Sequence, residues 1–242
     1  MPGRSLLSRY HPGSYSEEQF LIEKRIFGHS VFVSGLLVVA IWLVKLFEIE
    51  FGFDLSFFGI LPRELIGLRG IIFSPLIHGN LEHLVANSLP LFVLGFSLFF
   101  FYRKSAYAIF TLTYLFSGVF VWIGGREALH IGASGVIYGL AAFLFLSGVI
   151  SYNIRLLTIS LIVTFLYGSM FWGIFPLKPE ISWESHLWGG LSGFVLAWLY
   201  RKSAPIVEVE NDDMTDEAED IEERELDEGN SLPEENSTKG VH

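Results

Sequence analysis

The amino-acid sequence predicts an all-α membrane protein with six transmembrane helices and both termini in the cytoplasm. Of its 242 residues 51% are hydrophobic, and the mean hydropathy is +0.47. A soluble domain of this length carries far more charge. Six apolar runs approach the roughly 20 residues that a helix needs to cross the hydrocarbon core. They span about 30–48, 82–101, 105–123, 134–151, 154–172 and 184–200.

Basic residues in the loops predict the orientation of these helices. They cluster in every second loop, and an excess of Lys and Arg marks cytoplasmic loops. The clustered residues are Lys24, Arg25, Arg103, Lys104, Arg155, Arg201 and Lys202. The long first loop is then external, and helices two, four and six all begin at the outer face. Polar residues at the starts of these three helices therefore lie in one leaflet at similar depth.

Charge also divides the chain into parts. We predict a cytoplasmic N-terminal segment at 1–29, a six-helix membrane domain at 30–201 and an acidic, disordered cytoplasmic tail at 202–242. From Ser203 onward the tail has 15 acidic and two basic residues, whereas the rest of the chain has 14 basic against 11 acidic residues. A segment with this composition cannot bury enough apolar surface to fold.

Ser134 and His186, at the starts of helices four and six, have the chemistry of a nucleophile and its base. A serine hydroxyl is a poor nucleophile until a neighbouring base removes its proton, and histidine titrates near neutral pH. Glu184 lies two residues before His186 and so points elsewhere on a helix, which leaves a Ser–His dyad rather than a triad. The absence of cysteine excludes thiol catalysis and disulfides.

Small residues on helices four and six predict that Ser134 and His186 lie close together. Gly135 and Gly139 share one face of helix four, while Gly189 and Gly193 share one face of helix six. Such faces let membrane helices approach closely. Tyr138, four residues after Ser134, lies on the same side of helix four. It either stacks on the His186 ring or is a packing tyrosine.

His83 and Asn87 are four residues apart and project together from helix two. Both can donate hydrogen bonds, and with the backbone N–H of Ser134 they can hold a tetrahedral oxyanion. The alternative is a polar pair that joins helices or meets water. Polar groups in membrane segments are costly, which favours a functional role.

Three stretches of the chain resemble the rhomboid family of intramembrane serine proteases. They are HGNLEHLVANSLPLFVLG from His78, GASGVIYGL from Gly132 and HLWGGLSGF from His186, and the likeness covers about 30–200. The helix count and the orientation agree with that family.

The resemblance implies Ser134 as nucleophile, His186 as general base, and His83 and Asn87 in the oxyanion hole. Gly132 and Gly135 belong to the same motif as the serine, and Tyr138 would stack on His186. Helix five would form a lateral gate. Substrates would be transmembrane segments of other proteins in the lipid bilayer, with no cofactor, metal or nucleic acid involved. A prokaryotic cell membrane is the expected location.

Two positions depart from the family pattern. Leu68-Arg69 lies near the place where many members have Trp-Arg, so the role of Arg69 in anchoring the first loop is open. Trp188 replaces a smaller residue and either narrows the packing of helix six or faces lipid. The alternative function is a non-catalytic rhomboid-like protein that binds membrane clients. A channel or transporter would need charged residues in mid-membrane, and the helices have almost none.

Overall fold

The structure, a computed structural model, describes residues 17–166, 175 and 182–203. The chain divides into two compact units, Met1–Ile206 and Val207–His242, and the second lies wholly outside the described residues. The predicted acidic tail beyond Ser203 and the first sixteen residues of the predicted N-terminal segment also lie outside them.

The described residues form helices and short helical turns without a named strand, which confirms the all-α prediction. The long helices are α1 (Glu17–Phe51), α2 (Leu81–Tyr102), α3 (Ala106–Gly124), α4 (Ser134–Ile150), α5 (Ile154–Leu166) and α6 (Trp183–Leu199). Helix α1 begins ahead of its apolar run, since Glu, Gln, Leu and Lys before that run favour helix. The end of the fifth predicted run, 167–172, lies outside the described residues.

Three helices in the described part of the chain are long and apolar enough to cross a membrane. They are α2, α3 and the part of α1 from Phe20 to Phe51. Helix α4 has 17 residues and is a shorter apolar helix. At 1.5 Å per residue it is about 25 Å long, less than the roughly 30 Å thickness of the hydrocarbon core.

The first loop, residues 52–80, is held in place by Arg69. Its Nη2 donates to the carbonyl of Phe57 at 2.6 Å, and its guanidinium carbon lies 5.2 Å and 4.9 Å from the ring centroids of Phe57 and Phe58. A cation above an aromatic face is attracted by the ring quadrupole. Arg69 therefore joins two parts of the first loop to each other, although the neighbouring tryptophan of the family pattern is absent.

Helix α4 lies at the centre of the bundle and contacts α2, α3, α5 and α6. Its Leu140, Phe143 and Leu144 are fully buried. This placement suits an apolar helix that is too short to cross a full bilayer alone, because protein rather than lipid surrounds it.

The backbones of α4 and α6 touch through their glycines. A Cβ added to Gly189 would clash with the carbonyl oxygen of Gly135, and one added to Gly193 would clash with that of Gly139. A Cβ on Gly139 would in turn lie 3.1 Å from the carbonyl oxygen of Gly189. The two small-residue faces thus form the close contact that their spacing predicts.

Trp188 packs against α3 rather than only against lipid. Its ring lies 6.0 Å from that of Phe120, and a Cβ on Gly124 would clash with its six-membered ring. The bulky residue therefore fills a space that Gly124 leaves open.

We expect Gly189→Ala to lower the thermal unfolding midpoint in detergent, because the new methyl group overlaps the Gly135 carbonyl. Overpacking of this kind costs about 1–3 kcal/mol. Gly190→Ala is the matched control, since its Cβ would meet nothing within 4 Å. It should leave the midpoint unchanged or raise it, because alanine favours helix by roughly 0.5–1 kcal/mol over glycine. Equal midpoints for the two variants would contradict the glycine contact.

Candidate active site

Ser134 is the first residue of α4, and hydrogen bonds hold the backbone just before it. The N–H of Gly132 donates to the carbonyl of Ser74 at 2.8 Å, and the N–H of Ala133 donates to Nε2 of His78 at 3.4 Å. Ser134 is buried, with 8% of its surface exposed. Its hydroxyl therefore sits near the positive end of the α4 dipole and largely away from bulk solvent.

Gly132 brings the start of α2 against this backbone. Its φ of +111° is a conformation that L side chains rarely adopt. A Cβ at this position would also lie 2.6 Å from Cε1 and 2.8 Å from Nε2 of His83. The absence of a side chain at Gly132 thus allows the His83 ring to pack onto the loop two residues before Ser134.

Asn87 lies one turn further along α2, on the same face as His83. It is buried, and its Nδ2 donates to the carbonyl of His83 at 2.9 Å. A primary amide has two N–H donors. Asn80 caps the helix, since its Oδ1 accepts from the His83 N–H at 2.8 Å. The first turn of α2 is thereby fixed around the two predicted oxyanion donors.

Tyr138 and His186 stack face to face. Their ring centroids are 4.1 Å apart and their planes differ by 5°. The contact joins α4 to the first turn of α6 and holds the plane of the imidazole. It has the geometry that the resemblance implies for this pair, and not that of a tyrosine packed elsewhere.

Ser134 and His186 lie at the same end of the α4–α6 contact. A Cβ on Gly135, the residue after Ser134, would be 3.2 Å from the carbonyl oxygen of Ser185, the residue before His186. Both side chains are 8% exposed. The structure therefore brings together the first turns of the two helices that carry the predicted nucleophile and base.

His78 is a site neighbour that sequence reasoning did not select. It is buried, and its ring centroid lies 5.0 Å from that of His83. Burial, with a smaller effect of the neighbouring His83, lowers the pKa of His78 to about 3. The ring is thus neutral at physiological pH, and its Nε2 accepts from Ala133. The sequence shows that His78 precedes His83 by five residues, but this spacing does not predict which residues the His78 ring contacts.

Lys45 is a second unselected neighbour. Its Nζ donates to the carbonyls of His78 at 2.8 Å and Gly79 at 3.3 Å, and forms an ion pair with Glu48 at 3.1 Å. Glu48 in turn accepts from the N–H of Leu55 at 2.9 Å. The pair therefore ties α1 to both ends of the first loop. Two opposite charges three residues apart in an apolar helix were the available signal.

Together, the fold and the site define a helical membrane protein with a polar centre built from three helix starts. The family model described as "Rhomboid domain" matches residues 66–203. The chain belongs to the rhomboid family.

The curated relatives are mycobacterial. Proteins of Mycobacterium bovis and of Mycobacterium tuberculosis, each described as uncharacterized, are 36% identical over 177 residues, which cover 69% of this chain and 73% of theirs. A protein of Mycobacterium leprae with the same description is 36% identical over 150 residues, or 57% of each chain.

We expect Lys45→Met to destabilise the protein by about 3–5 kcal/mol, because it leaves the Glu48 carboxylate buried without its partner. The double variant Lys45→Met/Glu48→Gln should recover part of this loss, since the new amide can still accept from Leu55. Thermal unfolding in detergent measures both. Lys24→Met, an exposed lysine on the same helix, is the control. A double variant less stable than the single one would contradict the ion pair.

Acid should destabilise the protein partly through His78. Its pKa is lower in the folded state than the ordinary value near 6.5, so the unfolded chain binds the proton first. The stability that the neutral His78 ring contributes is therefore fully present above about pH 6.5, and it is lost as the pH falls toward 3. Between pH 7.5 and pH 5 we expect the free energy of unfolding of His78→Gln to fall by about 2 kcal/mol less than that of the wild type. Identical slopes for the wild type and His78→Gln would refute the role of His78.

Proposed function

We propose that this chain is an intramembrane serine endopeptidase that cuts transmembrane segments of other proteins with a Ser134–His186 dyad. The observation that supports it most is the contact between the first turns of α4 and α6, which carry Ser134 and a histidine whose ring is stacked on Tyr138. Membership of the rhomboid family, most of whose members are intramembrane serine proteases, supports the same conclusion.

In the acylation step His186 removes the proton from the Ser134 hydroxyl as the oxygen attacks the carbonyl carbon of the scissile bond. The tetrahedral intermediate carries its negative charge on the former carbonyl oxygen. In this proposal the side chains of His83 and Asn87, one turn apart on α2, and the N–H of Ser134 at the start of α4 donate hydrogen bonds to that oxygen. The C–N bond then breaks, and protonated His186 gives its proton to the leaving amine.

Deacylation repeats the chemistry with water. His186 removes a proton from a water molecule, whose oxygen attacks the acyl-serine carbonyl. The ester bond to Ser134 then breaks, protonated His186 returns its proton to the Ser134 oxygen, and a carboxylic acid is released. No carboxylate orients the imidazole in this proposal. Stacking on Tyr138 takes over that orienting role, because it restricts the plane of the ring.

The membrane arrangement in the proposal has six spans, cytoplasmic termini and the site near the outer face. Helix α4 is about 25 Å long, so its start lies below the surface of a hydrocarbon core of roughly 30 Å if its other end reaches the cytoplasmic side. A substrate helix must unwind to expose a peptide bond there. Segments with helix-breaking residues near the outer face are therefore the preferred substrates. Exposed apolar side chains on α5 suit a lateral gate, and a prokaryotic cell membrane is the proposed location.

We expect Ser134→Ala to abolish cleavage of a single-pass model substrate in liposomes and covalent labelling by a fluorophosphonate probe. The substrate should carry glycine or proline near the outer end of its helix. His186→Ala should reduce the labelling by at least about 10³-fold, because the hydroxyl then lacks its base. Ser147→Ala, a buried serine at the other end of α4, is the matched control and should label normally.

Unfolding midpoints establish that each variant is folded. Cleavage by purified, folded Ser134→Ala protein would overturn the proposal. A wild type that binds the model substrate but neither cleaves it nor reacts with the probe would instead identify a non-catalytic binder of membrane clients.

A further inference from the structure

The loop between α3 and α4, residues 125–133, leads directly into Ser134 and is attached to the first loop through its backbone. The N–H of His130 donates to the carbonyl of Ile60, and the N–H of Ile60 donates to the carbonyl of His130, each at 2.9 Å. This small bridge holds the outer side of the loop. The bridge uses only the backbone of His130, so the His130 side chain is available for other contacts.

A chain of hydrogen bonds runs from the His130 ring toward α6. Nε2 of His130 lies 3.1 Å from the carbonyl oxygen of Arg126, so this nitrogen carries the proton. Nδ1 then accepts from the Ser182 hydroxyl at 2.5 Å, and the Ser182 oxygen accepts from the Ser185 hydroxyl at 2.6 Å. His130 is 2% exposed, and its pKa lies below the ordinary value because of burial, which keeps the ring neutral.

This chain links the two segments on which the dyad depends. His130 lies four residues before Ser134, while Ser185 immediately precedes His186. A second contact joins the same segments, because Nε of Arg126 lies 3.5 Å from the buried carboxylate of Glu184. The Glu184 carboxylate thus lies toward the loop before Ser134.

We propose that His130 is a positioning residue for the Ser134–His186 pair, and that it acts through Ser182 and Ser185. The inference rests on the proposed function. The glycine contact sets how closely α4 and α6 approach, but a backbone contact along their length permits a small slide or rotation at their first turns. The His130 chain fixes the loop before Ser134 to the residue before His186, and so restricts the motion that would separate hydroxyl and imidazole. A misplacement of about 1 Å can cost on the order of 10²-fold in rate.

The test compares His130→Phe, which keeps the ring volume but removes both nitrogens, with Ser182→Ala and with His130→Asn. An asparagine oxygen lies near the position of Nδ1 and can accept from Ser182. We expect the first two variants to lower kcat for the model substrate, and the rate of probe labelling, by roughly 10–100-fold, with KM changed less than about twofold. His130→Asn should restore most of the labelling rate. The double variant His130→Phe/Ser182→Ala should be no slower than the slower single variant, because both changes break one chain.

Ser56→Ala, a serine of the first loop that lies outside this chain, is the matched control and should keep the wild-type rate. Wild-type kcat in both His130→Phe and Ser182→Ala would overturn the positioning role while leaving the proposed function intact. The role is also overturned if the loss of rate follows the loss of thermal stability and His130→Asn restores neither. A wild type that does not label at all would refute the proposed function itself, and the positioning role with it.

Discussion

Backbone contact between α4 and α6 is the constraint on which the rest of the site depends. Gly189 and Gly193 press against the carbonyls of Gly135 and Gly139, so no side chain separates the two helices. Without that approach, Tyr138 and His186 are too far apart to stack, because each ring reaches only a few ångströms from its own helix. The approach itself is between two backbones, which suits a membrane, where close packing rather than exclusion of water brings helices together.

The loops between the helices set the final positions of the proposed site groups, which helix packing alone does not fix. The proposed site groups lie within the first two turns of their helices, where the connecting segment sets the last few ångströms. Arg69 holds the first loop through Phe57, while Lys45 holds its far end through the carbonyls of His78 and Gly79. His130 holds the third connection. These three side chains brace the connections between helices, and none of them is proposed to contribute a reacting atom.

The proposed dyad differs in its physical basis from a triad with a carboxylate. A buried carboxylate beside the base would stabilise the imidazolium but would carry a large desolvation cost in this position. Glu184 is close in sequence, yet its charge faces Arg126 instead. Stacking on Tyr138 restricts the plane of the His186 ring, and this contact contains no net charge and therefore costs little to bury.

The sequence by itself determined the class of protein, the helices and the identity of the central residues. Apolar runs are a property of composition, so α2, α3, α4 and α6 begin within a residue or so of where hydropathy predicts. The four-residue spacing of the glycines and of Ser134 with Tyr138 is a property of one helix, and it indicated which faces meet. Only the tertiary structure decided the contacts that cross between elements distant in sequence. These are the contacts of Lys45 with His78, of Gly132 with His83, and of His130 with Ser182. They depend on the conformations of irregular loops, and the periodicity of the sequence does not predict those conformations.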